Sequence, residues 1–204
     1  MLFKKITPAL EEATFRLDIK ELTPFQTKII PKIKSGANVY GIAPDGKGKT
    51  VSMILSVIQK LKGKAVGDNP RAIIFVKDKE SALALEENFK PWIRYTDLRI
   101  YSVVEEHHIY NQKDLIYIGT DIVIATPKRL NKLYFQNGIN LNQLELLVIE
   151  DANFLNTTNL LTDISRISES LNKLQHVVYA THFDTKMNRM KELFMANSHT
   201  VKEE

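Results

Sequence analysis

A segment rich in glycine and lysine, residues 43–50, has the residue types and spacing that could bind a polyphosphate. It reads Ala-Pro-Asp-Gly-Lys-Gly-Lys-Thr, directly after an apolar run and directly before a pattern of helical period. Gly46 and Gly48 permit backbone conformations in which successive N–H groups point inward, and the helix N-terminus adds partial positive charge. At this spacing Lys49 is expected to bridge the β- and γ-phosphates, and the Thr50 hydroxyl to bind Mg²⁺. The segment therefore predicts a phosphate loop for a nucleotide bound with Mg²⁺.

The remaining residues of the loop modify that prediction. Ala43 stands where the strict pattern has its first glycine. Asp45 places an acidic side chain beside a triphosphate and repels it, an effect that the neighbouring Lys47 offsets. Pro44 completes the set of residues expected at the phosphates. We expect the phosphate affinity to be reduced, and the alternative interpretation is a glycine–lysine surface turn without a ligand.

Short apolar runs alternate with longer segments of helical period along the chain. The runs at 38–43, 72–76, 99–104, 121–125, 145–150 and 176–180 predict six strands. They show little alternation of apolar and polar residues, which is typical of strands buried on both faces of a parallel sheet. The helical patterns lie at 24–33, 50–61, 79–89, 127–135, 159–171 and 184–195. This alternation predicts a three-layer α/β fold, with a parallel sheet between helices on both faces.

The composition sets further bounds on function. The chain has 204 residues and no cysteine, and its 28 lysine and arginine residues against 24 acidic ones give a net charge of +4. The lack of cysteine excludes disulfides, iron–sulfur clusters and a thiol nucleophile. No apolar run approaches the roughly 18 residues of a membrane span, and the N-terminus lacks a signal-peptide core. We therefore expect one cytoplasmic domain over 1–204, in which residues 1–36 precede a core of 37–204, with no membrane partner.

Taken with the phosphate loop, further segments resemble the N-terminal RecA-like domain of DEAD-box RNA helicases, over nearly the whole chain. Leu-Thr-Pro-Phe-Gln at 22–26 is similar to the Q motif of that family. The resemblance implies that Gln26 contacts the adenine edge, with Thr23 beside the nucleotide and Phe3 as an aromatic that stacks on the base. An amide suits this role because it donates and accepts hydrogen bonds at once. The alternatives are that Gln26 is an exposed residue of a helix surface and that Phe3 is a terminal residue of the core.

The segment Glu-Asp-Ala-Asn at 150–153 stands where the family has Asp-Glu-Ala-Asp. The resemblance implies that Glu150 holds Mg²⁺ together with Thr50, and that Asp151 orients or deprotonates the attacking water. Glu150, Asp151 and Lys49 then form the implied catalytic set. The lengths of the two acids are exchanged relative to the family, and the last position of the box has lost its charge. Because a misplacement of about 1 Å can cost ~10²-fold in rate, we expect hydrolysis to be impaired.

Thr-Pro-Lys-Arg at 126–129 resembles the Thr-Pro-Gly-Arg segment that binds the RNA backbone in the family. The implied RNA contacts are Lys79, Thr126, Pro127, Lys128 and Arg129. Against this, Glu105 and Glu106 stand where the family has a pair of glycines, and carboxylates repel phosphates. The alternative interpretation of 126–129 is an ordinary basic helix start.

Tyr-Ala-Thr at 179–181 resembles the Ser-Ala-Thr segment that couples nucleotide state to helicase action in the family. The resemblance therefore implies that Ala180 and Thr181 are coupling residues. The alternative, a strand that ends in a polar turn, stays open at this point.

Two hypotheses follow from these motifs. In the first, the chain binds ATP or ADP with Mg²⁺ and contacts RNA weakly, while its own ATP hydrolysis is impaired. Since helicases of this family use two RecA-like domains, unwinding would need a second such domain or a protein partner in trans. In the second, the chain is a non-catalytic interaction module that has lost nucleotide chemistry. A kinase or another P-loop enzyme would leave Gln26 and the segment 126–130 without a role.

Overall fold

Seven parallel strands form one sheet in the part of the chain that the structure describes. The structure is a computed structural model that describes residues 6–157, 159–171 and 173–204, so Phe3, the implied stacking aromatic, lies outside the described residues. The strand order is β3-β4-β2-β5-β6-β1-β7. The strands are β1 (Asn38–Ile42), β2 (Ala72–Phe75), β3 (Ile100–Val103), β4 (Ile122–Ala125), β5 (Leu146–Ile149), β6 (Gln175–Ala180) and β7 (Ser198–Lys202).

Helices cover both faces of this sheet. Those within the described residues are α1 (Pro8–Arg16), α2 (Pro24–Lys34), α3 (Lys49–Lys60), α4 (Lys79–Ile93), α5 (Ile109–Ile118), α6 (Pro127–Phe135), α7 (Leu161–Glu169) and α8 (Thr185–Leu193), with a 3-10 helix at Ala152–Thr157. Ile74 of β2 packs in the core beneath α1 to α4, whereas its neighbour Ile73 packs in the core beneath α5 to α8. Both side chains are fully buried. The predicted three-layer α/β fold with a parallel sheet is confirmed.

The six predicted strands are all present, each within one residue of its predicted ends. The sequence did not predict β7, because Val201 is its one buried apolar residue and the other positions are polar. It also did not predict α5, whose pattern is blurred by exposed Tyr117 and Ile118 and by buried Gln112. Helix α4 runs past its predicted end at residue 89, because Trp92 is buried against the core in the added turn.

Three of the predicted motifs follow strands that are neighbours in the sheet. The strands β5, β6 and β1 are adjacent, and they lead into the acidic box, the Ala-Thr segment and the phosphate loop. Because all strands are parallel, these motifs meet at the same edge, outside the carboxyl ends of the strands, where α/β sheets bind ligands. Within the described residues, no helix is long and apolar enough to cross a bilayer.

Candidate nucleotide site

The phosphate loop joins β1 to α3, and its backbone depends on two glycines. Gly46 has φ +81° and Gly48 has φ +92°, both in the left-handed region that side chains disfavour. A Cβ on Gly48 would lie 2.4 Å from Gln26 Nε2 and 3.1 Å from Thr23 Oγ1, whereas a Cβ on Gly46 would meet nothing within 4 Å. Gly48 therefore lets the loop pack against α2. At Gly46 the loop faces open space.

Two residues of the Q-motif region, Thr23 and Gln26, donate hydrogen bonds to the backbone of the phosphate loop. The Thr23 hydroxyl donates to the Lys47 carbonyl at 2.9 Å, and Gln26 Nε2 donates to the Gly48 carbonyl at 3.2 Å. Gln26 Oε1 accepts from the Thr23 backbone N–H at 3.0 Å, and the two residues form a capping box at the start of α2. Gln26 is only 4% exposed. The alternative in which Gln26 lies exposed on a helix surface is therefore wrong, while its adenine contact stays a prediction.

The predicted phosphate lysine, Lys49, is held inside the loop. Lys49 Nζ donates to the Ala43 carbonyl at 2.5 Å and pairs with Asp45 Oδ1 at 3.0 Å. The Lys49 side chain is 13% exposed and that of Asp45 is 91% exposed. Because the aspartate of this pair lies in solvent, which screens its charge, the pair contributes between about 0 and 1 kcal/mol, and we expect the aspartate to be readily displaced. Lys47 donates to the Glu204 backbone carbonyl at 2.7 Å, on the side of the loop toward the chain end.

A cleft of about 220 Å³ opens between the phosphate loop and the end of β5. It is lined by Asp45, Lys49, Thr50, Met53, Lys77, Ser81, Glu150, Asp151, Phe154 and Tyr179. Five of these are predicted site residues, and they come from two motifs that lie 100 residues apart along the chain. The cleft thus brings the predicted phosphate lysine, hydroxyl and two acids into one place. Pro44 and Gly46 lie exposed on the loop above it.

Burial raises the pKa of Glu150 to about 7. The negative charges of Asp151 and Asp78 add to this rise in pKa, and Lys77 opposes it. A cation bound beside Glu150 would favour its ionised form. No group of three or more histidine or acidic side chains is arranged as a metal site among the described residues. Oxygen donors from Thr50 and Glu150 suit Mg²⁺, and phosphate and water oxygens would complete its coordination.

The last position of the acidic box is the centre of a network that the sequence did not reveal. Asn153 Oδ1 accepts from the Thr181 backbone N–H at 2.8 Å and from the Thr181 hydroxyl at 2.9 Å. Asn153 Nδ2 donates to the His182 carbonyl at 3.0 Å and to Asp184 Oδ2 at 3.0 Å. An amide makes both kinds of contact, whereas an aspartate here would face a second carboxylate. Asn153 thus joins the acidic box to the predicted coupling residue Thr181. The carbonyl of the other predicted coupling residue, Ala180, accepts a hydrogen bond from the backbone N–H of Ala43 at 3.1 Å.

The segment 126–129 lies apart from this cleft, at the end of β4. Thr126 is 4% exposed, and its hydroxyl donates to Glu105 Oε2 at 2.5 Å. Arg129 is 6% exposed; its Nε donates to Gln112 Oε1 at 2.6 Å and its Nη2 donates to the His107 carbonyl. Pro127 is also buried, whereas Lys128 is exposed and Lys79, at the start of α4, is partly exposed. Thr126 and Arg129 thus bind neighbouring protein groups, and the exposed cation of this segment is Lys128.

Comparison with known sequences places this architecture among helicases. A model of the DEAD/DEAH box helicase family matches residues 23–194. The chain is 31% identical over 166 residues to the ATP-dependent RNA helicase dbp10 of Schizosaccharomyces pombe, a match that covers 81% of this chain and 20% of that protein. It is 30% identical over 184 residues to the pre-mRNA-processing ATP-dependent RNA helicase PRP5 of Candida glabrata, covering 86% of this chain and 22% of that one. The chain thus spans about a fifth of these relatives.

Solved structures show the same fold. A DEAD box protein from Methanococcus jannaschii superposes with a TM-score of 0.90 at 18% identity, over 98% of this chain and 55% of that one. Saccharomyces cerevisiae dbp5, bound to nup159, gle1, ip6 and adp, superposes with a TM-score of 0.84 at 18% identity, over 96% of this chain and 52% of that one. At these identities the likeness concerns the fold, and this chain spans about half of each solved chain.

Proposed function

The chain belongs to the DEAD/DEAH box helicase family as an N-terminal RecA-like domain, and from that premise we propose that it binds ATP or ADP together with Mg²⁺. One observation carries the proposal. A phosphate loop supported by Gln26 places Lys49 and Thr50 in the same cleft as Glu150 and Asp151. The relatives named above are ATP-dependent, which supports a nucleotide as the ligand.

The predicted site residues that line the cleft each have a part in this proposal. Lys49 leaves Asp45 and pairs with the β- and γ-phosphates, while the loop N–H groups and the α3 N-terminus donate to the phosphates. Thr50 and Glu150 would hold Mg²⁺, which when bound neutralises charge on the phosphates. Gln26 keeps one amide hydrogen and one lone pair beyond its present bonds, enough to contact an adenine edge.

Hydrolysis by this chain alone is expected to be slow. Asp151 would orient the attacking water, but it is one methylene shorter than the glutamate that the family has at this position. A displacement of about 1 Å can cost ~10²-fold in rate. In related phosphoryl transfers an arginine supplied by a partner is worth about 10³- to 10⁵-fold. We therefore propose that catalysis and unwinding need a second RecA-like domain, within a longer chain or in trans.

A thermal-shift experiment tests nucleotide binding. At 100 times its Kd a ligand adds about 2.7 kcal/mol to the free energy of unfolding, which for a domain of this size raises the Tm by roughly 5–10 °C. We expect this shift with ATP or ADP plus Mg²⁺ for the wild type and for Lys132→Ala, a control at an exposed position of α6. We expect no shift for Lys49→Ala. Equal shifts for the three proteins would contradict binding at the loop.

We also propose a weak contact with the RNA backbone through Lys128. The support is the exposed position of Lys128 in the first turn of α6 and the RNA helicases among the relatives. Binding of a single-stranded RNA oligonucleotide should weaken steeply as salt increases. A titration at low salt with no response would remove this part of the proposal and leave nucleotide binding intact.

A second candidate function is a non-catalytic interaction module. It is favoured by two internal contacts, the Asp45–Lys49 pair and the Glu105–Thr126 hydrogen bond, which place carboxylates where phosphates would bind. The thermal-shift experiment separates the candidates. A wild-type Tm that neither ATP nor ADP changes, at millimolar concentration with Mg²⁺, would favour the module.

A further inference from the structure

Tyr179, at the floor of the nucleotide cleft, is a large buried side chain with no role in the function proposed so far. It is the next-to-last residue of β6, is 1% exposed, and lines the cleft beside Met53 and Thr50. Its ring fits because Gly41 on β1 has no side chain: a Cβ there would lie 3.0 Å from the Tyr179 ring. The glycine on the neighbouring strand therefore provides the space that the Tyr179 ring occupies.

The hydroxyl of Tyr179 is linked to the phosphate-binding helix. It lies 3.1 Å from Ser52 Oγ, and Ser52 Oγ donates to the Lys49 carbonyl at 2.7 Å. A serine hydroxyl has one hydrogen. Since Ser52 gives this hydrogen to Lys49, the phenol donates to Ser52. Burial raises the pKa of Tyr179, so that the phenol keeps its hydrogen. The result is a chain of two hydrogen bonds from β6 to the backbone of Lys49.

A second contact joins β6 to the other end of the loop. The Ala43 backbone N–H donates to the Ala180 carbonyl at 3.1 Å. Two consecutive residues of β6 thus hold the phosphate loop at its first residue and at its lysine. The next residue, Thr181, is bonded to Asn153 of the acidic box. The loop, β6 and the acidic box are therefore connected by direct hydrogen bonds.

We propose that Tyr179 is a positioning residue that fixes the first turn of α3 through Ser52 and so holds Lys49 in the cleft. The proposal deepens the nucleotide binding proposed above and rests on it for its effect on affinity. Tyr179 does not contact the phosphates in this account, because its hydroxyl is already bonded to Ser52. Its role is to limit the movement of the turn that carries Lys49 and Thr50.

The chain offers a matched control for the test. Tyr40 on β1 is also fully buried, and its hydroxyl donates to the Met187 carbonyl at 3.0 Å, in the core beneath α5 to α8. Tyr40→Phe and Tyr179→Phe each remove one hydroxyl and one neutral hydrogen bond. We expect Tyr179→Phe to raise the Kd for ATP with Mg²⁺ about fivefold, as suits the loss of one such bond. We expect Tyr40→Phe to change that Kd less than twofold.

A second measurement needs no nucleotide. Amide hydrogen exchange at residues 52–55, where the N–H groups of α3 begin to donate to carbonyls of the preceding turn, should be about fivefold faster in Tyr179→Phe than in the wild type, and unchanged in Tyr40→Phe. Ser52→Ala should reproduce the effect of Tyr179→Phe, and the double variant should add nothing further, because both remove the same link.

The outcomes separate the two proposals. Unchanged exchange at residues 52–55 in Tyr179→Phe overturns the positioning role, whatever the nucleotide result. Equal effects of Tyr40→Phe and Tyr179→Phe overturn it as well, since they indicate a general loss of stability. If the wild type binds no ATP, the nucleotide proposal fails, and faster exchange in Tyr179→Phe alone then still supports the link between β6 and α3.

Discussion

The phosphate loop after β1 and the segment after β4 have the same local architecture. Each follows a buried parallel strand, turns at the same edge of the sheet, and begins a helix. In each, a carboxylate of the protein itself bonds to a polar side chain of the motif: Asp45 to Lys49, and Glu105 to Thr126. Each also has a helix N-terminus beside a basic residue, an arrangement that favours phosphate binding.

The two regions differ in what must move before a phosphate can bind. Asp45 is 91% exposed and the loop has open space above Gly46, so rotation of one surface side chain removes the carboxylate partner of Lys49, which keeps its hydrogen bond to the Ala43 carbonyl. At the other segment Thr126 and Arg129 are buried, and Arg129 is bonded to α5. Binding there would require buried hydrogen bonds to break, which costs more than the loss of an exposed pair. From this difference in the accessibility of the motif side chains, we expect a phosphate to bind more readily at the loop after β1 than at the segment after β4.

The largest expected effect is for Gly48→Ala, which tests the packing of the phosphate loop. Its Cβ would lie 2.4 Å from Gln26 Nε2 at φ +92°, so that a clash adds to backbone strain. We expect a loss of about 3 kcal/mol in the free energy of unfolding, measured with urea, and loss of ATP binding. Gly46→Ala has a similar φ but no neighbour within 4 Å, and we expect a loss of about 1 kcal/mol. Equal losses of unfolding free energy in the two variants would show that packing of Gly48 against Gln26 does not support the loop.

Glu105→Gln changes the carboxylate at the segment after β4. Removal of this charge weakens the internal hydrogen bond of Thr126 and the repulsion of phosphate at the α6 N-terminus. We expect affinity for single-stranded RNA at low salt to increase about tenfold, measured by fluorescence anisotropy. Glu106→Gln is the control, because it removes an equal charge from the next residue, and it should increase affinity no more than about twofold. Equal increases would mean that net charge alone controls RNA binding.

Asp45→Asn is the corresponding change at the phosphate loop. It removes the partner of Lys49 and one negative charge beside the triphosphate. We expect ATP with Mg²⁺ to bind about threefold more tightly in calorimetry, as suits an exposed ion pair. Asp18→Asn, at an exposed position before α2, should leave affinity unchanged. Weaker binding by Asp45→Asn would indicate that the aspartate supports the site.

The smallest effect is expected for Lys128→Ala. Lys128 is the exposed cation of the segment after β4, so its loss should weaken RNA binding about twofold and reduce the salt dependence by roughly one counterion. The measurement is the slope of log Kd against log salt concentration. An unchanged slope would show that RNA, if it binds, binds elsewhere.

Much of the fold could be predicted because its signals are local. Short, mostly apolar runs identified six of the seven strands, including β3 at one edge of the sheet, and glycines next to a lysine identified the loop after β1. β7 was missed because an edge strand needs few apolar residues, and Val201 alone is buried in it. α5 was missed because Tyr117 and Ile118 face solvent while Gln112 is buried.

The site was less predictable, because its decisive contacts join residues distant in sequence. Glu105 and Thr126 are 21 positions apart, and their pairing depends on which strands are neighbours in the sheet. The same holds for Asn153 with Thr181 and for Tyr179 with Ser52. A motif comparison identifies the residue types at these positions, but burial and partners follow only from the packed sheet.

Amide hydrogen exchange with and without ATP and Mg²⁺ shows whether nucleotide binds at the phosphate loop, because it locates binding on the chain. We expect nucleotide to slow exchange at residues 45–52, in the phosphate loop and the start of α3, and to leave exchange at residues 126–131 unchanged. The same experiment on Lys49→Ala should show no change at either segment. Protection at 126–131 alone, or protection at 45–52 that persists in Lys49→Ala, would contradict the account.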